Sequence, residues 1–165
     1  MRKIMKYATL ENIDQINGLL LLSKSYWGYD NEFLDCFMKK FGITTGYMMQ
    51  HVLRLFYVDD CLAGFFNFGF NAENLFELDN FFLHPHFIGK GLGRELWEAC
   101  CQEARKQGKN EFIVWSEPHA EGFYLKMGCE KIGVRLSPMM PNRYPPVLRY
   151  KICDQFDERS EANLI

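Results

Sequence analysis

The sequence predicts a mixed α/β fold, and three patterns predict it. Strand-like runs occur at both ends and in the middle of the chain. Apolar stripes of helical period fall between them. Neither an internal repeat nor a linker divides the 165 residues, a length ordinary for one domain.

Lys3 to Ala8 alternates as a strand does. Thr9 offers an N-cap, and Ile13, Ile16, Leu19, Leu20 and Leu22 recur near helical spacing, so a first helix is expected over roughly 11–23. The aromatic loop SKSYWGYD leads to a second helix over about 31–41, carrying Phe33, Leu34, Phe37, Met38 and Phe41. Residues 44–51 read as a short turn. Residues 53–58 and 61–69 flank Asp59-Asp60 and predict a β-hairpin. After a polar break at 71–74, Leu75 to Leu83 is an apolar strand interrupted only by Glu77, Asp79 and Asn80. A helix over about 91–107 carries Leu92, Leu96, Ala99, Cys100 and Ala104 on one stripe, with Gly108 as its C′ residue. Phe112 to Trp115 is a short strand, and Glu117-Pro118 opens a last helix that ends at Gly128. Two strands, about 129–136 and 147–152, flank the proline-rich SPMMPNRYPP. The predicted order is therefore β-αα-βββ-α-β-α-ββ.

Composition narrows the function. Nineteen Lys and Arg against 21 Asp and Glu give a net charge of −2, which provides no electrostatic footprint for nucleic acid or an anionic membrane. No apolar run approaches the ~18 residues of a membrane span. The start, MRKIMKYATLENID, lacks a secretory h-region, so a cytoplasmic location is expected. The six cysteines include the adjacent Cys100 and Cys101 and no C-x-x-C pair; reduced, mostly buried thiols are expected, and no metal site. Aromatic residues reach 16%; much of this must be core, but an aromatic-lined ligand cleft would also use it.

Between the strand ending at Leu83 and the helix from Gly91 lies IGKGLG, Ile88 to Gly93. A strand delivering a glycine turn into a helix N-terminus makes an anion site, because glycines let backbone N–H groups approach a phosphate and the helix dipole favours it. Lys90 adds a cation. No G-x-x-x-x-G-K-[ST] string occurs, and G-x-G-x-x-G beginning at Gly89 fails at Arg94. Both nucleotide-binding patterns are thereby excluded.

The stretch LFELDNFFLHPHFIGKGLGRELW, Leu75 to Trp97, resembles the GNAT family of N-acetyltransferases, whose signature is an R/Q-x-x-G-x-G/A turn after an apolar strand. EPHAEGFYLKMGCEKIG, Glu117 to Gly133, resembles that family's A-x-x-F-Y-x-x-x-G-F helix. Two positions depart from the pattern: Ile88 stands at the Arg/Gln position, and Cys129 replaces the aromatic after the glycine. The resemblance implies a central, mostly antiparallel twisted sheet of six to seven strands flanked by about four helices. It implies one acyl-CoA N-acyltransferase domain over residues 1–153 and a polar tail over 154–165.

It also implies acetyl-CoA as co-substrate and direct attack by a primary amine of a small molecule or peptide. Phe81, Phe82 and Leu83 would bond the pantetheine arm through their backbone. Ile88, Gly89, Lys90, Gly91, Leu92 and Gly93 would hold the pyrophosphate, assisted by Arg94, and Glu117 stands where relatives carry a cofactor-contacting Asn. Tyr124 occupies the general-acid position; a phenol of pKa about 10 can protonate a thiolate of pKa about 8.5 held against it. Glu77 and Asp79, two apart on one strand, share a face and are the candidate bases, with Glu117 as a third. Tyr26, Trp27, Tyr29, Phe33 and Arg143 are the expected acceptor-binding residues. A second copy of the chain is the one protein partner admitted. The alternative from another class is a non-catalytic acyl-CoA-binding or regulatory module.

Overall fold

A computed structural model describes residues 1–152. Cys153 and the polar stretch 154–165 lie outside the described residues. The chain runs β1 (Lys3–Tyr7), α1 (Ile13–Ser25), α2 (Asn31–Phe41), α3 (Thr45–Gln50), β2 (Arg54–Val58), β3 (Cys61–Phe70), β4 (Phe76–Leu83), α4 (Leu92–Lys106), β5 (Glu111–Trp115), α5 (Glu121–Lys126), β6 (Glu130–Val134) and β7 (Pro146–Lys151). Seven strands in the order β1-β2-β3-β4-β5-β7-β6 make one mixed sheet, and every neighbouring pair except β4–β5 is antiparallel. No described helix is long and apolar enough to cross a membrane.

Three elements differ from the sequence expectation. The first helix starts at Ile13 because Leu10–Asn12 wind as a 3₁₀ turn, with the Asn12 Oδ1 accepting from the Thr9 N–H at 2.8 Å. Residues 45–50 are a helix rather than a turn. The Thr44 hydroxyl accepts from the Tyr47 N–H at 3.1 Å, and Tyr47 and Met48 pack onto the core beneath α1 and α2. The last helix is preceded by a 3₁₀ turn, Pro118–Ala120, capped by the Glu117 carboxylate.

The sheet separates two cores. Leu78, Leu96, Trp97, Phe112 and Phe66 pack on the α4 and α5 side; Ile16, Leu20, Phe37, Leu55 and Phe65 pack under α1–α3. The opposite placement of Phe65 and Phe66 is the alternation of a strand buried on both faces. Asp59 and Asp60, with φ of 48° and 65°, make the left-handed two-residue turn that joins β2 to β3.

A break beside β4 positions the site. Asn67 pairs with Asn80 but Phe68 with Leu78, which leaves Asp79 as the extra residue of a β-bulge. The parallel ladder to β5 has only Glu77 opposite Ile113 and Leu78 opposite Val114. Beyond Leu78, β4 keeps its β3 partners as far as Leu83 while its other edge faces no strand among the described residues. Bulges bend and twist a strand, so the two strands part and a wedge opens between them.

Candidate active site

The glycine turn borders this wedge. His84 caps a 3₁₀ turn over Pro85–Phe87, its Nδ1 accepting from the His86 N–H at 3.1 Å. The chain then passes through Gly89 at φ 78° and Gly91 at φ 79°, conformations that L side chains rarely adopt, before α4 begins. Gly93 serves differently: a Cβ there would lie 3.2 Å from Phe123 Cε2, so its smallness lets α4 pack on α5. No side chain caps α4. Its first N–H groups have no intrahelical acceptor and Arg94, in its first turn, lines the cavity beside the glycines, an arrangement suited to an anion. Gly91→Val is expected to destabilise the fold by roughly 1–2 kcal/mol through backbone strain, read from chemical denaturation midpoints.

A cavity of about 580 Å³ runs from this turn through the wedge to α1 and α2. Phe81, Phe82, Leu83, Ile88, Gly89, Gly91, Gly93 and Arg94 line one end. Lys90 is not among the lining residues; its Nζ sits 3.4 Å from His86 Nε2. The Leu92 side chain is buried in the α4 core, leaving only its backbone at the turn. Tyr124 lies midway, ring-packed on Phe81 and Trp97 with centroids 6.0 and 5.8 Å away. Its hydroxyl has no hydrogen-bond partner among the described residues. Burial, reinforced by Cys100, Cys129 and Glu117, pushes the phenol well above its ordinary value.

At the far end, Glu117 ties α1, the α1–α2 loop and the β6–β7 loop together. Its carboxylate pairs with Lys24 of α1 and accepts from the Tyr29 hydroxyl at 2.6 Å. It also meets His119 Nδ1 at 2.6 Å and Arg143 Nη2 at 3.5 Å. Arg143 in turn bonds the Tyr29 hydroxyl. Burial pushes the Glu117 carboxyl up, but Lys24 and the hydrogen bonds from Lys24, Tyr29 and His119 outweigh it and hold the group at about 2. Lys24 is only 9% exposed, and burial pulls its ammonium down against the support of Glu117. A carboxylate so acidic is a structural anchor and a poor proton acceptor at neutral pH.

The two strand carboxylates part company. Asp79, on the bulge, lines the cavity and accepts from the Tyr47 hydroxyl. That hydroxyl also accepts from Asn67 Nδ2 at 2.7 Å and Asn80 Nδ2 at 3.1 Å. Glu77 is buried outside the cavity lining and binds Arg135 Nη1 at 3.0 Å. Burial raises its carboxyl above the usual range, with Arg135 opposing.

Of the expected acceptor residues, Trp27, Phe33 and Arg143 line the cavity, and Trp27 stacks on His119 at 5.1 Å. Tyr29 reaches the site through Glu117. Tyr26 is 52% exposed and packs edge-on against Trp27, off the lining. Sequence reasoning missed Lys24 and Tyr47. Lys24 had a signal, a charge at the next stripe position after Ile16 and Leu20. Tyr47 had none, because its segment read as a turn. Among the described residues Cys100, Cys101 and Cys129 are buried free thiols, Cys36 is half-buried and Cys61 exposed.

The fold recurs in solved structures. One is the PaiA N-acetyltransferase of Thermoplasma acidophilum in complex with coenzyme A, with TM-score 0.74 and 16% identity over 92% of this chain and 99% of that one. The ribosomal-protein-S18-alanine N-acetyltransferase of Escherichia coli is similar, with TM-score 0.64 and 15% identity over 92% and 94%. YncA of Salmonella typhimurium, solved with acetyl-CoA, has TM-score 0.63 and 14% identity over 93% and 96%. At these identities the likeness is one of fold. No curated protein sequence matches the chain. The family model described as acetyltransferase (GNAT) domain matches residues 29–137, which span the glycine turn, the wedge and α5. The chain belongs to the GNAT family of acetyltransferases.

Proposed function

We propose that the protein moves the acetyl group of acetyl-CoA to a primary amine of a small molecule or peptide, by direct attack in a ternary complex. The observation that carries this reading is the single cavity joining the glycine turn to Tyr124, Asp79 and an aromatic wall. Acetyl-CoA supplies an acyl thioester. The unpaired edge of β4 at Phe81–Leu83 would bond its pantetheine amides as a missing strand would. The N–H groups at the start of α4, with Arg94, would hold its pyrophosphate. Ile88 brings no cation to the turn, and Lys90 reaches it only by leaving His86. Coenzyme A and acetyl-CoA in the PaiA and YncA structures support this choice of cofactor.

Tyr124 is protonated at neutral pH, and its hydroxyl is free to donate to the departing thiolate. Of the two carboxylates on the cavity lining, Glu117 is locked in its ion pair with Lys24, so Asp79 takes the proton of the attacking amine directly or through water. Tyr47 positions Asp79 by donating to it. Glu117, locked by Lys24, Tyr29 and Arg143, holds α1 and the loop after it beside the end of β5 instead of acting as base. A module that only bound the cofactor would need the turn but not Tyr124 and Asp79 at one cavity. Thiol release from acetyl-CoA over a panel of primary amines tests the reading. Turnover of at least one amine is expected, and none across amino acids, peptides and alkylamines would overturn it.

A further inference from the structure

We infer that the acceptor end of the cavity binds a carboxylate: Lys24 and Arg143 together take an anionic group that the amine substrate carries on an apolar body. The inference rests on the acetyl-transfer reading above and names the class of acceptor within it.

Two cations here face one carboxylate. Glu117 spends one oxygen on Lys24; the other serves Tyr29, His119 and Arg143. The cations are less well satisfied. Glu117 is the one hydrogen-bond partner of the Lys24 ammonium among the described residues, which leaves two of its three donors unfilled. Among the described residues the Met140 sulfur, at 3.3 Å, is the one hydrogen-bond partner of Arg143 Nη1, and the guanidinium otherwise lies over the Tyr29 and Phe33 rings at 5.1 and 5.8 Å. Side-chain exposures of 11% and 21% deny both groups full hydration, so a second anion would complete them.

The cofactor does not supply that anion. Its pyrophosphate is assigned to the glycine turn, its 3′-phosphate lies beyond that on the ribose, and its thioester end, which would meet Tyr124, is uncharged. The surrounding wall fits an apolar body. Lys24 Nζ lies 4.8 Å from the Phe37 ring centroid and 6.0 Å from that of Phe33, with Trp27 beside them on the lining. Asp79 lies on the β4 side of the same cavity, where it would face the substrate's amine. Cation, apolar wall and anion thus mirror a carboxylate, a large side chain and an amine.

The same carboxylate could instead belong to the acyl group of a dicarboxylic acyl-CoA, and the test separates the two sources. Thiol release is measured with phenylalanine, phenylalaninamide and phenethylamine as acceptors, compared at equal free-base concentration, with acetyl-CoA or succinyl-CoA as donor. The expected result is a kcat/KM for phenylalanine at least about tenfold above that for the amide with acetyl-CoA. That ratio should fall toward one in both Arg143→Gln and Lys24→Met. Because it compares two acceptors within one variant, general damage to the fold cancels, and thermal midpoints confirm that each variant is folded. A wild-type ratio at or below one, with the amide turned over, overturns the carboxylate site and leaves acetyl transfer standing. Preference for succinyl-CoA without discrimination among acceptors places the anion on the acyl group and overturns the assignment to the acceptor. No thiol release with any amine or donor overturns both readings together.

Discussion

Tyr124→Phe is expected to lower kcat by about 10²–10⁴-fold, while the KM for acetyl-CoA and the thermal midpoint stay near those of the native protein. The asymmetry follows from the surroundings of the side chain. The ring packs on Phe81, Trp97 and Phe123, and phenylalanine keeps all of that packing. The hydroxyl has no protein partner among the described residues, so its loss strands no buried donor or acceptor. Only the proton is missing, which in the proposed reaction would go where thiolate charge develops. Steady-state kinetics with any accepted amine decides the matter. Undiminished kcat in Tyr124→Phe would remove Tyr124 from the role of general acid.

Glu117→Ala should be the most destabilising polar substitution, costing about 3–5 kcal/mol in denaturant unfolding. It leaves Lys24 and Arg143 close together, poorly hydrated and without their shared counter-ion. The same anchor predicts a pH dependence. Glu117 is held at about 2, below its ordinary 4.5, so its ionised form is favoured in the folded state. A carboxyl depressed in this way adds stability above the unfolded value. That stability is lost as pH falls from about 4.5 through about 2. The contribution is about 3 kcal/mol, part of which offsets the burial of the Lys24 ammonium. Between those pH values the native protein should lose more stability than Glu117→Gln. Parallel curves for the two would show that Glu117 is not the anchor described.

Local patterns were legible in the sequence and long-range ones were not. The helix over Asn31–Phe41, the Asp59-Asp60 hairpin and the strand–glycine turn–helix unit each depend on neighbouring residues, and each formed where expected. Helix α3 escaped because six residues capped by one threonine carry too little periodicity. The bulge at Asp79 escaped because it exists only in the register between β3 and β4. It reverses the alternation of β4, so that Leu78 and Phe81 both pack on the α4 side despite their odd spacing. The anchor at Glu117 was hidden for a similar reason. Its partners Lys24 and Tyr29 are 93 and 88 residues away in sequence, and Glu117 alone read as a cofactor contact or a base.

Binding of acetyl-CoA in the turn and wedge, as proposed, is read from the thermal unfolding midpoint with and without the ligand. Acetyl-CoA and desulfo-CoA should each raise the midpoint in a concentration-dependent way. At 100 times the dissociation constant the stabilisation should be about 2.7 kcal/mol, and Gly91→Val should need more ligand for the same shift. An unchanged midpoint with both at millimolar concentration would contradict the account.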